Sequence, residues 1–146
     1  MAAVALLLTG CASSGKSGVT PAEAQETLRA AGITNARVTV DDARNGFTAV
    51  RGTRVSLASA IDIEASPQSL DYLFRVAWGV GKNEPNTALT LRIEGESATD
   101  TWRDAAGDLG ALTYEEEGRL VIEMDVSVAD KQYGPWPGPV PDPPSQ

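Results

Sequence analysis

Residues 66–94 read SPQSLDYLFRVAWGVGKNEPNTALTLRIE, and this stretch decides the fold. Ser66 and Pro67 form a helix start, with a side-chain cap and a residue whose φ is already helical. Leu70, Leu73, Phe74, Ala77 and Trp78 then fall at i, i+3, i+4, i+7 and i+8, one continuous apolar stripe. Gly79 and Gly81 stop the helix, and Lys82–Asn86 is a loop. Leu89, Leu91 and Ile93 alternate with Thr90, Arg92 and Glu94, the period of a half-buried strand. A one-sided helix followed by a one-sided strand predicts two layers sharing one core.

Working outward, Thr20, Pro21 and Glu23 predict a capping box that opens a helix running to about Ala31, with Gly32 as its stop. Ala36, Val38 and Val40 alternate as a strand. Asn45-Gly46 predicts a tight turn, from which Phe47–Arg51 returns as a hairpin. Gly52 reads as another turn, and Val55, Leu57, Ile61 and Ile63 as one face of a long strand from Thr53 to Glu64. Trp102, Ala105, Ala106 and Leu109 mark a third helix over about Asp100–Leu109, stopped by Gly110. Glu115–Glu117 reads as a solvated turn, and Leu120, Ile122, Met124, Val126 and Val128 as the inner face of a last strand. Each strand keeps a polar face or edge. The expected class is α+β, a two-layer sandwich with a mostly antiparallel sheet of four to five strands and helices packed on one face.

Charge and composition remove several functions. The chain has 146 residues, a net charge of −8, one Cys and no His. Without His, no Ser-His or Cys-His catalytic arrangement exists within the chain. One Cys allows neither an internal disulfide nor a Cys-only zinc site. The acidic balance opposes broad nucleic-acid binding and electrostatic docking on anionic lipid.

The N-terminus carries the clearest signal. Residues 1–10, MAAVALLLTG, are apolar and too short to span a bilayer, as expected of the h-region and cleavage zone of an export signal. Leu8-Thr9-Gly10-Cys11 resembles the lipobox of bacterial lipoproteins. The resemblance implies cleavage before Cys11, a diacylglyceryl group on its thiol, and anchoring at the extracytoplasmic face of the cell membrane. Residues 70–87 and the strand after them are similar to segments of small actinobacterial lipoproteins, which imply no particular activity. The resulting division is a signal at 1–10, a flexible tether at 11–19, an α+β domain at 20–130 and a Pro-rich tail at 131–146.

A rival pattern overlaps the lipobox. Gly10–Ser17 fits G-x-x-x-x-G-K-[ST], the phosphate-binding loop of nucleotide enzymes. That loop runs straight into a helix, whereas here Pro21 opens a new one. Asp62 and Glu64 lie two apart on a strand and make a carboxylate pair suited to acid–base hydrolysis, or a solvent face opposite Ile61 and Ile63. Asp100, Asp104 and Asp108 form an acidic stripe; their spacing matches no calcium loop, and the first two favour a helix N-terminus. Trp78 and Trp102 are in phase with their helices and read as core, with pocket lining as the alternative. Tyr133 and Trp136 sit among prolines, either as a docking segment for a partner's groove or in a tail that folds back over the sheet or stays disordered. The expected function is a non-catalytic binding or structural module of the envelope, with no catalytic residue, cofactor or metal, a membrane reached through Cys11 and a protein partner in the envelope.

Overall fold

The computed structural model describes residues 16–58, 63–95 and 99–144. Its elements are α1 (Pro21–Ala30), β1 (Ala36–Asn45), β2 (Thr48–Leu57), α2 (Pro67–Trp78), β3 (Ala88–Ile93), α3 (Thr99–Asp108), β4 (Leu112–Glu116), β5 (Arg119–Asp125) and α4 (Val126–Tyr133). The five strands form one sheet in the order β1-β2-β3-β5-β4. Only the β2–β3 pair is parallel, because α2 carries the chain back between them; the other three pairs are antiparallel.

The register explains the two layers. Val38 pairs with Val55, Val55 with Leu91, and Leu91 with Ile122, so the apolar residues of four strands line one face. That face is dry: Val55, Leu57, Leu89, Leu91, Ile93 and Ile122 are each at most 1% exposed. All four helices contribute to the same core, through Leu28, Phe74, Trp102 and Ala129 among others. The opposite face holds ion pairs, Arg54–Asp41 at 2.9 Å, Arg92–Glu116 at 2.6 Å and Arg119–Glu94 at 3.0 Å. The α+β two-layer sandwich expected from the sequence is the fold of this chain.

The starts of α1 and α2 are as the sequence predicts. Thr20 accepts from the Glu23 backbone N–H while the Glu23 carboxylate accepts from the Thr20 N–H, and Ser66 Oγ accepts from the Ser69 N–H.

Several boundaries differ, each for a local reason. Gly52 is no turn: β2 runs through it, and a Cβ there would stand 2.9 Å from the Ala88 carbonyl oxygen, so the position needs a close backbone approach. The described part of β2 ends at Leu57; Ile61 and Asp62 of the expected longer strand lie outside the described residues. The hairpin turns on Gly46-Phe47, since Asn45 pairs with Thr48 and Gly46 takes φ +64° as the first central residue. β4 escapes sequence reading because it is a five-residue edge strand with almost no buried position. Val126 and Val128 belong to α4, not to a strand, because Asp125 accepts from the Ser127 N–H at 2.8 Å and caps a helix there.

The expected tether also begins earlier to belong to the fold. The Gly18 N–H donates to the Gly81 carbonyl at 2.8 Å, and Val19 exchanges hydrogen bonds with Gly79 and Gly81. A Cβ on Gly18 would lie 2.2 Å from the Gly79 oxygen. Gly18→Ala is therefore expected to cost about 1–3 kcal/mol of stability in urea unfolding. Gly107→Ala, in α3 with open space around it, is expected to gain up to about 1 kcal/mol.

Candidate groove between the central helix and the C-terminal tail

Eight of the twelve residues of α2 are buried, including Ser69, Tyr72 and Val76, which lie off the stripe that faces the sheet. A second cover is therefore required, and the C-terminal segment supplies it. α4 ends at Gly134, whose φ of +77° turns the chain back. The Trp78 indole N–H donates to the Gly134 carbonyl at 2.9 Å. Gly138 then lies against the Trp78 ring so closely that a Cβ would be 3.0 Å from Cδ1. Trp136 is 6% exposed and part of the core.

This corrects the expected tail. Residues 131–133 complete α4, and the prolines after them continue over α2. Trp136 is buried and not an exposed docking residue, and the segment folds back over α2, not over the sheet. Tyr133 is partly buried, and the Arg75 guanidinium stacks over its ring with Cζ 4.7 Å from the centroid. Arg75 is held in turn by Asp71, Nε to Oδ2 at 2.7 Å. Burial pushes the Tyr133 hydroxyl well above the usual tyrosine range, and the Asp71 charge adds to it.

Between α2 and the end of this segment lies a groove of about 400 Å³, lined by Gln68, Asp71, Tyr72, Arg75, Pro141, Asp142 and Pro144. Gln68, Asp71 and Arg75 are the outward stripe of α2. Tyr72 is the most enclosed of the lining residues, 3% exposed, and its hydroxyl is buried without a hydrogen-bond partner among the described residues. Burial also raises its pKa, so it stays protonated and offers a donor, not a phenolate nucleophile. The Asp71 carboxylate is engaged by Arg75. The groove can therefore take polar groups by hydrogen bonding, but it presents no activated base or nucleophile.

The other sequence candidates are scattered. Cys11 and residues 10–15 of the phosphate-loop pattern lie outside the described residues. Lys16 and Ser17 are exposed and not helical, and the first helix begins at Pro21 behind its own cap. Asp62 is outside the described residues, and Glu64 is exposed. Asp100, Asp104 and Asp108 are exposed on α3, and among the described residues no three His, Cys, Asp or Glu side chains converge on a metal position. Trp78 and Trp102 are core, at 1% and 0% exposed. No helix among the described residues is long and apolar enough to cross a membrane. No protein-family model, no curated protein and no solved structure matches the chain.

Sequence reasoning passed over the groove. The available signal was Tyr72 and Val76, apolar positions outside the main stripe, which announce a helix covered on more than one side.

Two outcomes are expected. Trp136→Ala costs about 3–5 kcal/mol in chemical denaturation, whereas a free tail would leave stability unchanged. Above about pH 10 an unfolded tyrosine loses its proton while Tyr133 keeps its own, so the unfolded state binds fewer protons. Stability is thus full below that pH and falls as pH rises, less steeply in Tyr133→Phe, as unfolding curves from pH 9 to 11.5 will show.

Proposed function

We propose that this chain is a lipid-anchored protein of the cell envelope, held at the extracytoplasmic face of the membrane through Cys11, and that it works by binding and not by catalysis. The anchor rests on Leu8-Thr9-Gly10-Cys11, the chain's single cysteine directly behind an apolar h-region. The binding role rests on one observation, the groove between α2 and the C-terminal segment lined by Gln68, Asp71, Arg75 and two prolines, with the Tyr72 hydroxyl buried at its wall and without a partner among the described residues. A buried donor left unpaired is costly, and a ligand or bound water that accepts from it recovers that cost. Its ligand is a small molecule with acceptor oxygens, met by Tyr72 and Gln68 and flanked by the Asp71–Arg75 pair.

Intact mass of the membrane-extracted protein tests the anchor. The expected form lacks residues 1–10 and carries acyl mass, and Cys11→Ala keeps its leader and lacks that mass. A full-length soluble form with a free thiol overturns the reading. Amide shifts on titration with simple polyols and amides test the groove. They are expected to cluster at Gln68, Tyr72 and Arg75 and to weaken in Tyr72→Phe; shifts centred elsewhere overturn it.

A further inference from the structure

We propose that the β1–β2 hairpin is a second membrane contact, with Phe47 at its tip entering the phospholipid interface next to the anchored N-terminus. The proposal rests on the reading of Cys11 as the lipid-bearing residue. The projection of the hairpin and the exposure of Phe47 are independent of that reading.

The hairpin outgrows its sheet. β1 and β2 each have ten residues, yet β3 pairs only with Thr53–Leu57. The half from Asp41 to Gly52 therefore projects past the end of β3. From Val40 to the turn is five residues, a reach of about 16 Å. The projection is braced at its base. Asn86 accepts from the Arg51 N–H at 2.8 Å and donates to the Ala49 carbonyl at 2.7 Å, while the Thr87 hydroxyl and the Arg51 side chain close the same junction at 2.7 and 2.9 Å. Asn86 thus extends the hydrogen bonding of β2 beyond the first residue of β3, and leaves only the last few residues unsupported.

The tip is unlike the rest of the molecule. Phe47 is 107% exposed, the most exposed of the large apolar side chains among the described residues. The eight residues 43–50, ARNGFTAV, carry a single charge, the cation of Arg44, in a chain of net charge −8. Asp41, at the base, is paired with Arg54. Asp42, opposite Arg51 in the register, keeps the projecting half near neutral, so the attraction to lipid is the apolar one of an exposed aromatic ring backed by small uncharged residues.

The position of Gly18, the first docked of the described residues, selects a lipid surface as the occupant. Gly18 is bonded to Gly81, and a Cβ on Gly81 would lie 3.9 Å from Val40 Cγ2, at the root of the projection. Gly18 and the hairpin therefore share one end of the sheet. Six residues lie between Cys11 and Gly18, and the seven steps span at most about 25 Å. A lipid on Cys11 holds this end of the domain against the bilayer within that span, and the hairpin is the part that projects from it. The other end of the sheet, at the Glu117-Gly118 turn, carries Glu94, Glu115 and Glu116, each paired with an arginine.

The test uses the single cysteine. Full-length Phe47→Trp and wild-type chains are coupled through Cys11 to maleimide phospholipid in phosphatidylglycerol–phosphatidylcholine vesicles, with and without brominated acyl chains. Phe47 is fully exposed, so the substitution leaves the core untouched. The expected result is a blue-shifted emission component present only in Phe47→Trp and mostly lost with brominated lipid, while the buried tryptophans keep their signal. An added component with the emission of free water and no bromine quenching overturns the proposal. The coupling is chemical, so this outcome is independent of whether the cell lipidates Cys11, which the mass measurement reports separately.

Discussion

The fold depends on burying α2 on both sides. The sheet takes Leu70, Leu73, Phe74 and Ala77, and the remaining apolar residues need another surface. That surface is fixed by one directional contact, the Trp78 indole N–H on the Gly134 carbonyl. A buried indole without an acceptor is penalised, and a chain rich in proline has few N–H groups with which to organise itself. The contact answers both needs: it satisfies the donor and seats the C-terminal segment. From it follow the burial of Trp136, the Arg75–Tyr133 stack and the groove along Tyr72.

The two ends of the sheet have different work. At one end β3 begins, α2 ends, Gly18 docks and the hairpin projects. The close backbone approach of Gly18 to Gly79 and Gly81 joins the N-terminal segment to the loop after α2, while Asn86 and Thr87 of the same loop brace β2. One loop therefore ties the start of the domain to the base of the hairpin. At the other end, the sheet closes on Glu117-Gly118, a turn in a strongly acidic run.

Much of this was legible in local sequence. The capping box of α1, the Ser66 cap and the apolar stripe of α2 specify helices through contacts three and four residues apart, and β3 announces itself by strict alternation. Reading failed where a distant segment sets the conformation. Gly52 looks like a turn until the Ala88 backbone is placed beside it. Val126 and Val128 continue the alternation of β5 in sequence, but the Asp125 cap turns them into a helix, and their packing on Gly110 and the core keeps them there. β4 has no apolar period because it lies at an edge and buries almost nothing. Tyr133 and Trp136, set among prolines, carry no periodic signal at all.

The sequence by itself determined α1, α2, α3, β1 and β3, the sidedness of the sheet and the class of fold, because those follow from periodicity and capping over a few residues. It also carries the Leu8–Cys11 motif, which is chemistry written in consecutive residues. Only the tertiary structure decided that the proline-rich segment covers α2, that Tyr72 sits unpaired in a groove, and that Gly18 and the hairpin meet at one end of the sheet. Those features are contacts between segments far apart in the chain, such as Trp78 with Gly134 and Arg51 with Asn86, and no local pattern of residue types specifies which distant backbone group will complete them.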